Sequence, residues 1–123
     1  MNQPSDPLNP QRGEIWDIDF DPSKGCEIQK SRPAAVISIR SVGRLPLRIV
    51  VPITDWKAEY GGFPWMVALV QTPANGLTKI SAADAFQVKS VSLERFQKRL
   101  GVLPSAKVDD IAAAVTLCVG YTP

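Results

Sequence analysis

The feature that most limits the folds open to this chain is its succession of strand-length apolar runs, separated by turn residues, with little helical period before Ser105. From Gly13 onward, Trp16, Ile18 and Phe20 alternate with Asp17 and Asp19, the period of a half-buried strand. Pro33–Ile39 and Leu47–Ile53 are nearly continuous and β-branched, as in strands buried on both faces, and Pro52 predicts a bulge or an edge position. Phe63–Val70 follows Gly61 and Gly62 as a further strand, and Ala85–Val91 is a weaker one. Ser92 can cap a short helical turn through Arg99, closed by Gly101. After Pro104, Ser105 predicts an N-cap, with Asp109 and Asp110 near the positive helix end. An apolar stripe of Val108, Ile111, Ala112, Val115, Cys118 and Val119 follows, and Gly120 and Pro123 stop it. About five short strands and one late helix predict a mainly β chain: a small, strongly curved antiparallel sheet or barrel with the helix packed across it.

A length of 123 residues with 45% hydrophobic side chains accommodates one core. Residues 1–11, with Pro4, Pro7 and Pro10, predict a flexible arm, and residues 12–123 a single domain. No apolar run reaches the ~18 residues of a membrane span and the first residues lack a signal-peptide pattern, so the expectation is a cytoplasmic protein without a membrane partner. Cys26 and Cys118 read as reduced thiols, the second on the core-facing side of the helix. The absence of histidine removes Ser-His-Asp and Cys-His nucleophilic sites, mixed Cys/His zinc sites and the histidine acid/base pair of many ribonucleases.

The cations are unevenly spread. Lys24, Lys30, Arg32, Arg40, Arg44 and Arg48 are opposed only by Glu27 within their segment, and Lys89, Arg95, Lys98 and Arg99 form a second cluster beside Glu94. Brought together by the fold, the two would make a patch suited to a polyanion. Trp16, Phe20, Phe63 and Trp65 read as core or dimer contacts, whereas Trp56 and Tyr60 fall in a polar loop where a ring can stack on a base or bury against a partner.

Three ordered blocks resemble the MazF/PemK family of toxin endoribonucleases. The first is Arg12-Gly13-Glu14-Ile15-Trp16 with the loop from Asp21-Pro22 through Gly25, Cys26, Glu27, Lys30 and Ser31 to Arg32-Pro33. The second is Arg44-Leu45-Pro46 with Val50-Val51-Pro52-Ile53-Thr54, and the third is Gln87-Val88-Lys89-Ser90-Val91 with Arg95-Phe96 and Leu100-Gly101-Val102-Leu103. The resemblance implies a small SH3-like antiparallel barrel with a short helix and a C-terminal helix, a homodimer, and cleavage of single-stranded RNA or mRNA with no metal or other cofactor. It also implies restraint by a cognate acidic antitoxin similar to MazE. It places the catalytic roles on Arg32 and Thr54, and substrate binding on Gly25, Cys26, Glu27, Lys30, Ser31, Gln87 and Lys89. The chain departs from the family at Cys26, where some members carry histidine, at Phe86, where some carry aspartate, and at Lys89, where arginine is usual. Asp84 shares a strand face with Phe86 and is a candidate stand-in.

The chemistry of such a site follows from its substrate. The 2′-OH of RNA can attack the adjacent phosphorus, so the protein must align the reacting atoms, neutralise the phosphoryl oxygens and move a proton. Arg32 suits the second task, because a guanidinium stays charged and its planar fork can hold two phosphate oxygens. Thr54 can hydrogen-bond the phosphate or orient the 2′-OH. Glu27, a carboxylate beside a phosphate, reads as an orienter of the loop or of Arg32. Two other functions fit the same blocks: a toxin of similar fold that binds gyrase, and a catalytically degenerate RNA-binding barrel.

Overall fold

The computed structural model describes residues 8–39 and 45–122. Arg40 and Arg44 of the first basic segment, the arm through Pro7, and Pro123 lie outside the described residues. The described residues contain seven strands, β1 Glu14–Asp19, β2 Ser31–Val36, β3 Leu47–Asp55, β4 Met66–Leu69, β5 Ser81–Asp84, β6 Lys89–Ser92 and β7 Phe96–Val102, followed by helix α1, Ser105–Cys118. They form one antiparallel sheet in the order β4-β5-β3-β2-β1-β7, with β6 also on β3. Among the described residues no ladder joins β4 to β7, so the sheet curls in a barrel-like way without closing.

The curl explains the continuous apolar runs, since the sheet is buried on both faces. One core holds Ile15, Ala35, Val51, Ile53, Leu69 and Ala83 beneath Val108 and Ile111 of α1. The other holds Trp16, Ile18, Phe20, Ala34, Val36, Val50, Val91 and Phe96, with Leu8 and Ile28 packed against it. Trp16 meets Phe96 edge to face at 5.7 Å. On α1, Val108, Ile111 and Ala114 are buried while Val119 is 72% exposed. The stripe therefore runs at i, i+3 and i+6 and leaves Val119 outside it. Burying Val108 and Ile111 contributes about 2 kcal/mol each.

Several boundaries differ from the expectation. Phe63–Val70 shortens to Met66–Leu69, with a 3-10 turn at Ala58–Gly62 before it. The expected strand Ala85–Val91 is instead a 3-10 turn, Ala85–Gln87, followed by β6. The helical turn from Ser92 is confined to Leu93–Arg95, with the Ser92 hydroxyl accepting the Glu94 N–H; Phe96–Val102 extends because β1 offers it a ladder and the core takes Phe96. Ser105 is the first helical residue, and Pro104 stands at the N-cap with no side-chain bond. Gly120, at φ +75°, ends α1 as expected, with the Tyr121 N–H returning to Thr116 O.

Pro52 is fully buried in β3, where the strand changes partners. On one edge β3 pairs with β2 through Val50–Pro52; on the other it pairs with β6 through Leu47–Val50 and with β5 through Ile53–Asp55. Arm residues 8–11 are held on the domain: the buried guanidinium of Arg48 donates to Pro10 O at 2.9 Å and Asn9 Oδ1 at 3.2 Å.

Candidate functional site

The site lies at the point where β3 leaves β2. Ala34 is opposite Pro52 in the last bridge, and the same register continued by two residues brings Arg32 toward Thr54. The β2–β3 ladder ends at that bridge, while on its other edge β3 continues to pair with β5, Thr54 opposite Ala82. A cavity of about 360 Å³ opens there, lined by Arg32, Thr54 and Ser31 together with Asp17, Asp55 and Lys79. Ile53, Gly76 and Leu100 also line it.

Asp17 is half-buried on β1, opposite Pro33 on one side and Lys98 on the other. Sequence alternation places it on the outward face of β1, and it shares the cavity lining with Arg32. Among the described residues it forms no ion pair. Asp55 instead pairs with Lys79 at 3.0 Å, both largely exposed at the rim. Sequence reading does not single out Asp17 or Lys79 for the site, since no local pattern shows that they share a cavity with Arg32 and Thr54.

The remaining site candidates lie on the loop before β2 and on the strand that follows β5. Glu27 shapes that loop: its Oε1 accepts the Lys24 N–H at 2.8 Å, while its own N–H donates to Lys24 O. Lys30 holds a left-handed conformation, φ 66°, and its N–H donates to Asp21 Oδ1 at 3.0 Å. Gly25 and Cys26 are exposed on the same loop. Gln87 reaches the loop from the far side of the sheet: Nε2 donates to Cys26 O at 2.9 Å and Oε1 accepts the Ile28 N–H at 3.1 Å. Lys89 sits on β6 opposite Val50, outside the cavity lining. Arg32 Nε donates to Gln29 O at 3.3 Å.

The two basic segments meet across β1, since Ile18 is opposite Arg32 and the neighbouring Asp17 is opposite Lys98. Fewer cations are free of protein partners than the sequence count implies. Arg48 is buried and donates also to Leu45 O and Leu47 O, Arg95 donates to Asp19 O and Asp21 O, and Arg99 pairs with Glu14 at 2.9 Å.

Asp84 does not line the cavity. It ends β5, where its Oδ1 accepts the Phe86 N–H at 3.1 Å; burial raises its pKa, against the lowering effect of bonds from the Phe86 and Gln87 backbone. Burial and the nearby charge of Asp84 raise the pKa of the Cys118 thiol on α1. Phe86 is 66% exposed and touches Trp65 edge-on, and Trp65 stacks on Phe63 at 4.9 Å. Among the described residues no three His, Cys, Asp or Glu side chains gather to hold a metal ion, and no helix is long and apolar enough to cross a membrane.

Comparison with known proteins adds lineage to this geometry. The sequence profile of the PemK-like, MazF-like toxins of type II toxin-antitoxin systems matches residues 11–119. A curated relative, Endoribonuclease MazF9 of Mycobacterium tuberculosis (strain ATCC 25618 / H37Rv), is 33% identical over 113 residues, 87% of this chain and 93% of its own. Among solved structures, MazF from Deinococcus radiodurans superposes with a TM-score of 0.77 at 23% identity, covering 91% of this chain and 97% of the other. An endoribonuclease in complex with its cognate antitoxin, from a mycobacterial species, superposes with a TM-score of 0.71 at 18% identity, covering 93% and 98%.

Proposed function

The chain belongs to the PemK-like, MazF-like toxin family of type II toxin-antitoxin systems, and from that premise we propose that it is an endoribonuclease that cuts single-stranded RNA by attack of the 2′-OH on the adjacent phosphorus, without a metal. The observation that carries the reading is the cavity that Arg32 and Thr54, 22 positions apart in sequence, line together just beyond the end of the β2–β3 ladder. Arg32 neutralises the phosphoryl oxygens as charge builds, and Thr54 hydrogen-bonds the phosphate or the attacking hydroxyl. A guanidinium keeps its proton and is a poor proton acceptor. Of the two carboxylates lining the cavity, Asp55 is paired with Lys79 and Asp17 has no ion pair among the described residues, and Asp17 takes the 2′-OH proton in this reading. Ser31, Lys30, Cys26 and Gly25 lie on the approach to Arg32 and contact flanking RNA, Lys89 contacts it farther out, and Glu27 shapes the loop.

Restraint comes from an acidic antitoxin segment that occupies the same basic surface as the RNA. A second copy of the chain lengthens the groove, and the protein works in the cytoplasm. A gyrase-binding role requires neither Arg32 nor Thr54, and the cavity favours the nuclease. The test is long RNA incubated with purified protein in EDTA, with the new ends mapped. The expected products carry 2′,3′-cyclic phosphates and 5′-hydroxyls, and both Arg32→Ala and Asp17→Asn abolish them. Intact RNA with the wild-type protein, or cleavage only when a divalent metal is supplied, overturns the proposal.

A further inference from the structure

The guanidinium of Arg32 has one described protein contact, from Nε to Gln29 O at 3.3 Å, so its direction depends on where that carbonyl is held. The loop bearing Gln29 has little core of its own, since residues 24–27 are exposed and only Ile28 reaches the second core. It is fixed from two sides. On one, Asp21 Oδ1 accepts the Lys30 N–H, and Arg95 holds the carbonyls of Asp19 and Asp21. On the other, the Gln87 amide uses both of its ends, donating to Cys26 O and accepting from Ile28 N across 61 and 59 positions of sequence. That bracket closes one residue before Gln29. Gln87 is in turn held by its own turn, whose first N–H groups are capped by Asp84. The left-handed Lys30 fits this picture, because such backbone persists in a residue other than glycine only when its surroundings hold it.

We propose that Asp84 and Gln87 are positioning residues: a latch planted between β5 and β6 that fixes the 24–30 loop and, through the Gln29 carbonyl, sets the direction of Arg32. The proposal rests on the role given to Arg32 above. It gives Gln87 a task at the loop rather than at the RNA, one N–H of its amide and one lone pair of its oxygen being committed to Cys26 O and the Ile28 N–H. It also assigns Asp84 no proton transfer, since its carboxylate caps its own turn and does not line the cavity. A displacement of about 1 Å at a catalytic group is enough to cost about 10²-fold in rate.

The test compares Gln87→Ala, Gln87→Glu, Asp84→Ala and Asp84→Asn by three readouts: amide hydrogen exchange at Ile28, the NMR signal of Arg32 Nε–H, and kcat and KM on a short fluorogenic RNA. In Gln87→Ala, exchange at Ile28 rises about tenfold or more, the Arg32 signal moves, and kcat falls about tenfold or more while KM stays near the wild-type value. Gln87→Glu keeps the acceptor for Ile28 but loses the donor to Cys26 O, and lies between the two. Asp84→Ala follows Gln87→Ala, whereas Asp84→Asn, which retains the Oδ1 acceptor, is close to wild type. The proposal is overturned if Ile28 exchange is unchanged in Gln87→Ala, if that variant raises KM with kcat intact, or if Asp84→Asn is inactive. Exchange and the Arg32 signal require no RNA. A wild-type protein that does not cut RNA therefore defeats the proposed function while these two readouts still decide whether the latch exists.

Discussion

Replacing Gly76 with alanine tests whether the cavity wall is as tightly built as it looks. Gly76 sits on the 72–77 loop with φ +70°, and a Cβ placed there would lie 2.1 Å from Leu100 O and 2.8 Å from Leu100 C. An ordinary carbon–oxygen contact is about 3.3 Å, so loop or strand must give by about 1 Å. Neither side yields easily. Asn75, buried at 4% exposure, ties the loop through Thr72, Leu77 and Val70, and Ala74 O accepts the Val102 N–H from β7 at 2.9 Å. Overpacking of about 1–3 kcal/mol adds to about 1 kcal/mol for the left-handed backbone, giving a loss of about 2–4 kcal/mol. Two controls separate the contributions. Gly120→Ala, at φ +75° in open space, should lose about 1 kcal/mol, and Gly61→Ala, open and without positive φ, should stay within about 0.5 kcal/mol of the wild type. Urea unfolding measures all three, and at about 4 °C per kcal/mol the Gly76 variant melts roughly 10 °C below the wild type. Since Gly76 and Leu100 both line the cavity, RNA cleavage should fall as well. A Gly76→Ala protein with the midpoint of Gly120→Ala and full activity refutes the reasoning.

Arg32→Ala should reduce RNA cleavage by about 10²–10³-fold with little change in the unfolding midpoint, and Arg32→Lys should be nearly as poor, as measured by initial rates on a defined RNA. Arg48→Ala should destabilise the protein by about 2–4 kcal/mol in urea, because it strips a charged donor from the carbonyls of Pro10, Leu45 and Leu47 in a buried setting. Asp84 predicts a pH dependence of known sign. Its pKa is raised in the folded state, so its contribution to stability is fully present below the unfolded value and is lost as pH rises through the folded one. Asp84→Asn should therefore gain in stability relative to the wild type between the acidic range and pH 7, and thermal unfolding that shows the opposite trend refutes the assignment.

The legible part of the fold was the part with a period. Trp16, Ile18 and Phe20 marked β1, and the β-branched runs marked β2 and β3, because hydrophobic burial alone dictates them. Strand β5 reads Ser-Ala-Ala-Asp and has no strand propensity to show; Ala82 and Ala83 are wholly buried because β3 and β4 close on them from either side. Strand β7 carries the exposed run Gln97, Lys98, Arg99 and exists through its ladder with β1. In the site, the motif blocks pointed to Arg32 and Thr54, both of which line the cavity. Asp17 and Lys79 went unread because they share that lining only through contacts distant in sequence. The side-chain bonds of Gln87 span about 60 positions, which no local pattern encodes.

The ladder between β1 and β7 also bears on when the molecule becomes complete during its own synthesis. Glu14 and Arg99, which bridge it, are 85 positions apart, and Leu100 supplies part of the cavity. Translation delivers the amino-terminal strand first, and contacts of such long range form late. A ribosome-bound chain that has not yet released residues 96–102 has one edge of β1 unpaired and lacks the part of the cavity lining that Leu100 supplies. For a chain with the activity proposed, cleavage by the nascent product then waits until β7 has left the ribosome.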